Sequence, residues 1–125
     1  MDIEFSREAE TSLQAPHNTV CIRKPLSTDG FKVHQLISAC KPLDTNSAYC
    51  NLLQCHHFSD TCRVAEIDQT VVGFVSGYSV PGKPDTLFIW QVAIDTSHRG
   101  KGIGRVLISD ILAEGTFSQL NTTIT

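Results

Sequence analysis

The chain has 125 residues, 41% of them hydrophobic and 18% charged, with a formal net charge of −3 at pH 7. That is enough chain for one globular domain with a modest core, and an acidic balance without a basic stripe argues against nucleic acid as the main partner. The opening Met1-Asp2-Ile3-Glu4-Phe5 is unlike a signal peptide and no run approaches the roughly 18 apolar residues of a membrane span, so a cytoplasmic protein with no membrane partner is expected.

Residues 1–18 are polar and without periodicity and read as a disordered leader, which leaves one domain over 19–125. Val20-Cys21-Ile22-Arg23 reads as a first strand stopped by Pro25. Ser27 then suits the N-cap of a helix whose apolar face is Val33, Leu36, Ile37 and Cys40, ended by Lys41-Pro42. Leu43-Asp44-Thr45-Asn46 is a polar turn, and Ser47 can cap a second helix on which Tyr49, Leu52, Leu53 and His56 share a face.

From Cys62 the period changes toward 2. Arg63-Val64-Ala65-Glu66-Ile67 and the run from Val71 to Tyr78 flank Asp68-Gln69-Thr70 as the two strands of a hairpin. Residues 81–85, with two prolines and a glycine, read as a loop. Residues 86–94 read as a strand so apolar that both faces should be covered. A third helix follows with Ile103, Val106, Leu107 and Ile111 inward and Gly115 at its end, and Asn121-Thr122-Thr123-Ile124-Thr125 is a last short strand. The order is β-α-α-β-β-β-α-β, an α/β chain.

Five cysteines, at 21, 40, 50, 55 and 62, form no C-x-x-C pair, and their odd number fits reduced, mostly buried thiols. Cys55-His56-His57 with Cys62 matches no common zinc spacing, so no metal is expected.

Between the last long strand and the third helix lies Asp95-Thr96-Ser97-His98-Arg99-Gly100-Lys101-Gly102-Ile103-Gly104-Arg105. Three glycines in five positions let backbone approach a ligand, and the first-turn N–H groups of a helix attract an anion; the bland alternative is a tight glycine turn with a solvated basic edge. A dinucleotide fingerprint from Gly100 would need glycine at 105, where Arg105 stands. A Walker A loop would need Ser or Thr after Lys101, where Gly102 stands.

The remaining pattern, Arg99, Gly102 and Gly104 as Arg-x-x-Gly-x-Gly, resembles the acetyl-CoA loop of the GCN5-related N-acetyltransferases (GNAT). Pro42-Leu43-Asp44-Thr45-Asn46-Ser47-Ala48-Tyr49, Leu52-Leu53-Gln54-Cys55-His56-His57-Phe58, Gly73-Phe74-Val75-Ser76-Gly77-Tyr78 and Pro84-Asp85-Thr86-Leu87-Phe88-Ile89-Trp90-Gln91-Val92-Ala93 resemble the signature segments of one GNAT branch. That branch is the L-2,4-diaminobutyrate acetyltransferases of ectoine biosynthesis. The resemblance runs from about Ile22 to Thr125.

The resemblance implies the GNAT fold, a mixed central sheet with flanking helices, incomplete at the C-terminus, and transfer of an acetyl group from acetyl-CoA to the γ-amine of diaminobutyrate by a homodimer. It implies a cofactor site at Gln91, Val92, Ala93, Ile94, Arg99, Gly100, Lys101, Gly102, Gly104 and Arg105, and a substrate site at Asp44, Asn46, Tyr49 and Trp90. The chemistry suits those types, since a carboxylate such as Asp44 pairs with an ammonium and Trp90 offers an apolar or cation–π wall. On residue type alone Asp44 equally fits a turn before Ser47, Trp90 and Tyr49 equally fit a core, and Asn46 is open. The catalytic acidic residue of the family is expected beyond Thr125. A coenzyme A-binding fragment without turnover, or an acetyltransferase for another small amine, are the alternatives.

Overall fold

The computed structural model describes residues 19–40, 48–114 and 117–121. The expected leader, the turn with Asp44 and Asn46, the Ser47 cap, the helix ends at Lys41-Pro42 and Gly115, and residues 122–125 lie outside the described residues.

Strand β1 (Cys21–Arg23) stops before Pro25, and a 3-10 turn (Ser27–Asp29) leads into helix α1 (Gly30–Ala39). Ser27 does not cap that helix, contrary to expectation; no cap hydrogen bond from a side chain starts either element. The start of the helix is instead fixed by Asp29, whose carboxylate accepts from the Leu26 N–H at 2.6 Å and takes both Arg23 nitrogens, at 2.7 and 3.0 Å.

Helix α2 (Ala48–His56) packs against α1. Its buried face is Asn51, Gln54 and Cys55, whereas Tyr49 is 67% exposed and Leu52 and His56 are also exposed. The expected apolar face is therefore rotated away from the core. Polar side chains take its place because they satisfy one another, as the site below shows. Gly30 admits the close helix contact: a Cβ there would stand 2.9 Å from the Leu52 Cα.

Strands β2 (Cys62–Ile67) and β3 (Thr70–Val80) pair antiparallel, with Ile67 opposite Thr70. Thr70 thus belongs to the strand, and the turn is the two residues Asp68 and Gln69, both at positive φ (49° and 65°) as a primed hairpin turn requires. Strand β4 (Lys83–Ile94) begins three residues earlier than predicted. Only Pro81 and Gly82 connect it to β3, and a register shift between Ser79 and Val80 accommodates the irregular stretch containing Pro84. Helix α3 (Ile103–Glu114) and strand β5 (Gln119–Asn121) complete the described elements, β5 lying parallel to β4 at Thr86, Leu87 and Phe88.

The five strands lie in sequence order, mixed in direction, with helices on both faces. On one face Val33, Ile37 and Cys55 of α1 and α2 meet Val64 and Phe74. On the other, Ile103, Leu107 and Ile111 of α3 meet Ala65, Val75 and Leu87. Each strand of the long hairpin thus serves two cores by alternation. Arg63 is fully buried, held to α3 by Asp110 at 2.6 Å and Glu114 at 2.9 Å and to two carbonyls, of Asp60 and Cys62.

Candidate active site

The geometry of the site begins with one surplus residue. Ser76 of β3 faces Gln91 of β4, but the next residue, Gly77, faces Ile89, so Trp90 is bulged out of the ladder. The bulge explains why Trp90 is 45% exposed in a strand expected to be covered on both faces. It also turns the indole onto a cavity of about 420 Å³ lined by Cys50, Leu53, Gln54, Phe58, Ser76 and Trp90, among others. Past Phe88, β4 has no partner strand on its outer side among the described residues, because β5 pairs only with Thr86, Leu87 and Phe88. A strand edge without a partner strand can accept an extended ligand as an added strand.

Further along β4 the chain reaches the glycine turn. Asp95 accepts from the Ser97 N–H at 3.3 Å, from the Ser97 hydroxyl and from His98 Nδ1 at 3.1 Å, which fixes the turn after the strand. The Ser97 and then the His98 bonds hold the Asp95 carboxyl below its ordinary range. Arg99 folds back so that its Nε donates to the Ile94 carbonyl at 3.2 Å, a carbonyl that also receives the Cys40 thiol.

Gly100 and Gly102 both have φ of +79°, and a Cβ on either would meet no protein atom within 4 Å. Both glycines therefore supply a left-handed conformation that favours glycine and leave the space beside the turn uncrowded. Val106 N–H closes the first turn of α3 on the Gly102 carbonyl at 3.1 Å, so the amides of Ile103 and Gly104 precede the intrahelical ladder. Gly104 lies against β4, its missing Cβ 3.4 Å from Val92 Cγ1. With Arg99, Lys101 and Arg105 all exposed around it, the turn is a basic concavity at a helix N-terminus.

A model of the acetyltransferase (GNAT) family matches residues 31–122. The chain belongs to the GNAT acetyltransferase family. Among relatives, an L-2,4-diaminobutyric acid acetyltransferase of Methylotuvimicrobium alcaliphilum is 49% identical over 109 residues, covering 85% of this chain and 63% of the relative. One of Vibrio cholerae is 48% identical over 106 residues, covering 82% of this chain and 61% of its own. The chain thus spans a little over three-fifths of the length of these curated relatives. A solved diaminobutyrate acetyltransferase of Paenibacillus lautus, in complex with its substrate L-2,4-diaminobutyric acid and coenzyme A, superposes with a TM-score of 0.80 at 37% identity, covering 86% of this chain and 67% of that one. The five described strands and the glycine turn of this GNAT domain therefore carry the fold that the sequence resemblance implies.

Of the expected site residues, the structure gathers Gln91, Val92, Ala93, Ile94, Arg99, Gly100, Lys101, Gly102, Gly104 and Arg105 along β4 and the turn that follows it. The Gln91 and Ala93 side chains lie on the α1 and α2 face, opposite Ser76 and Phe74. Only the β4 backbone faces the open edge there. Trp90 lines the cavity; Tyr49, on the exposed side of α2, does not. Nor is Tyr49 a core residue, the role its type equally allowed.

Sequence reasoning missed a chain of buried amides. His34 Nδ1 lies 3.0 Å from Asn51 Oδ1, Asn51 Nδ2 donates to Gln54 Oε1 at 2.9 Å, and Gln54 Nε2 donates to Ser76 Oγ at 3.5 Å. The signal was present as Asn51 and Gln54 three positions apart on one helix face. Apolar periodicity does not register it. Burial also pushes the Cys62 thiol up to about 11 and the Cys55 thiol up to about 12, so neither is a thiolate at neutral pH.

Proposed function

We propose that the protein transfers the acetyl group of acetyl-CoA to the γ-amine of L-2,4-diaminobutyrate. The observation that carries this reading is the single strand β4, which joins the amine-sized cavity at Trp90 to the basic glycine turn at Gly100 and Gly102. The names of the relatives, and the substrate and coenzyme A held by the Paenibacillus enzyme, supply the ligand identities.

The residues fit coenzyme A. The first-turn amides at Gly102, Ile103 and Gly104, with Arg99, Lys101 and Arg105, would hold its pyrophosphate. The outer edge of β4 at Val92 and the Ile94 N–H, which has no partner strand among the described residues, would hold its amide-bearing arm. The Ile94 carbonyl is already taken by Arg99 and Cys40. Asp44 and Asn46 are proposed, with Trp90, to orient the diamine, while Tyr49 stands exposed and away from the cavity. The amine nitrogen attacks the thioester carbonyl, the C–N bond forms and the C–S bond breaks. The proton lost by the nitrogen balances the one taken by the departing thiolate. No thiol nucleophile is used, in keeping with the neutral buried Cys55 and Cys62.

The amine must first lose a proton. With a pKa near 10.4 this costs about 4.6 kcal/mol at pH 7 unless the site assists. Glu66 is an unpromising base, since it lies 3.4 Å from Arg23. A homodimer is inferred from the family resemblance.

A thiol-release assay with acetyl-CoA tests the reading. Diaminobutyrate should release coenzyme A and yield the N4-acetyl product, with a kcat/KM at least tenfold above that for lysine or ornithine. Release with an unrelated amine alone, or coenzyme A binding without turnover on any amine, would overturn it.

A further inference from the structure

The polar end of the cavity at Trp90 is made of hydrogen-bond donors. Ser76 lies two residues from Phe74 on β3, so it shares the sheet face packed by α1 and α2, and there it meets Gln54 of α2. Both side chains line the cavity, although Gln54 is only 7% and Ser76 2% exposed. Asn51 Nδ2 donates to Gln54 Oε1, so the Gln54 carbonyl is used and its amide nitrogen is the atom turned to Ser76. The same sense holds back along the chain, where Asn51 Oδ1 faces His34 Nδ1 and makes that ring nitrogen the donor. Two hydrogens are left over at the cavity end. Gln54 Nε2 carries a second N–H beside the one given to Ser76 Oγ in a long bond of 3.5 Å, and the Ser76 hydroxyl donates to no protein atom among the described residues.

The rest of the wall decides which acceptor fits them. No charged side chain lines the cavity among the described residues, and Leu53, Phe58 and the Trp90 indole make most of it apolar. Buried donors without an acceptor are costly, so a ligand oxygen that meets both is favoured there. A carboxylate takes two such bonds, and its charge strengthens each. An ammonium does not fit this end, because it has only hydrogens to offer and the Gln54 nitrogen accepts none. An α-amino acid suits an otherwise uncharged wall, since it brings its own ammonium one carbon from its carboxylate.

We propose that Gln54 Nε2 and Ser76 Oγ bind the α-carboxylate of the substrate and so select an α-amino acid over a plain diamine. Gln54 on α2 and Ser76 on β3 hold that end of the molecule against the helix-side wall, while Trp90 stands on β4, the strand proposed to carry the thioester. A carboxylate fixed at the one leaves the γ-amine to extend toward the other. Asn51 and His34 are positioning residues, since their bonds decide which end of the Gln54 amide faces the cavity. The inference rests on the proposed acetyltransferase reading and adds how its substrate is chosen and turned.

The test compares L-2,4-diaminobutyrate with 1,3-diaminopropane, which has the same two nitrogens at the same carbon spacing but no carboxylate. Each is titrated by calorimetry into the whole protein saturated with coenzyme A. The wild type should bind diaminobutyrate about tenfold or more tightly than the diamine. Gln54→Glu still accepts from Asn51 and can accept from Ser76, so the internal chain survives, but both donors are lost to the cavity; the preference should vanish or invert. Ser76→Ala removes one donor without adding charge and should cut the preference by about tenfold. Each result is a ratio of two ligands on one preparation, so a smaller folded fraction does not imitate it. A wild type without the preference, or variants that keep it, would overturn the inference. Equal loss of affinity for both amines would do so too, by showing that these donors serve a group the two ligands share. A wild type that shows the preference yet releases no thiol from acetyl-CoA with diaminobutyrate would instead sink the acetyltransferase reading and leave the carboxylate site in place.

Discussion

The Cβ that Gly77 lacks would stand 2.8 Å from the carbonyl oxygen of Phe88. That approach occurs where β3 and β4 slip register, one step before the bulge that exposes Trp90. The missing side chain is therefore part of how the bulge is made: the two backbones close up beside Gly77 and the extra residue is displaced on the other strand. Gly77→Ala must push β4 away at its bulge, and a rigid carbonyl cannot yield as a side chain end would. A loss of about 1–3 kcal/mol is expected, read by thermal or urea denaturation, with a higher KM for the amine from the displaced Trp90. A variant as stable as wild type would show that the sheet opens there without cost.

Trp90 itself contributes little to the core, being nearly half exposed. Trp90→Ala should shift the melting temperature by only a few degrees yet raise the KM for the diamine by tenfold or more. Trp90→Phe should recover most of that loss, because the wall is apolar and aromatic. Equal kinetics for all three proteins would remove the indole from the site.

Gly102 and Gly82 share a positive φ, +79° and +81°, and at both a Cβ would meet nothing. They therefore have the same backbone cost for any other residue, about 1 kcal/mol, but lie in different places, one in the basic turn and one in the β3–β4 hairpin. Gly102→Glu should abolish coenzyme A binding by calorimetry, through bulk and negative charge in the concavity. Gly82→Glu should show the same modest destabilisation with coenzyme A affinity intact. Parallel loss in both would mean that global stability, and not the turn, governs binding.

Much of this arrangement is legible in the residues themselves. Ile103, Val106, Leu107 and Ile111 repeat at helical spacing and are all buried, because nothing about them competes with apolar packing. The hairpin at Asp68 and Gln69 is equally plain. Helix α2 is not, since Asn51 and Gln54 are buried through bonds to His34 and Ser76 that come from other elements, a fact no local period contains. The early start of β4 is hidden for a different reason: Pro84 argues against a strand, yet it sits where the register slips and no ladder N–H is needed from it. The Trp90 bulge is likewise a property of two strands together.

Gln69 has no positional excuse for its φ of 65° beyond the turn it occupies. Gln69→Gly would give the Asp-Gly pair that suits a two-residue primed turn. A gain of about 0.5–1 kcal/mol is expected in denaturant midpoint, with unchanged slope and kinetics, because left-handed strain is relieved far from β4's bulge. A loss would mean that the looser unfolded chain outweighs the relief.

The half-buried ion pair at the start of α1 makes part of the fold's stability depend on pH. Burial alone would push the Asp29 carboxyl up, but the Arg23 guanidinium at 2.7 Å and the Leu26 N–H outweigh it and hold it below the ordinary aspartate range. A carboxyl whose pKa is depressed in the folded state contributes stability that is fully present above its unfolded value, about 3.9, and is lost as pH falls through the lower folded value. Asp29→Asn should therefore be less stable than wild type by about 2 kcal/mol at pH 7 and at pH 5 alike. The gap should close only below about pH 4, as the wild type gains the proton that makes it resemble the variant. Urea denaturation of both proteins across pH 2.5–7 measures this directly. A gap that already narrows between pH 7 and 5 would show that Arg23 does not hold Asp29 ionised, and that Glu66, 3.4 Å from the same guanidinium, is its principal partner instead.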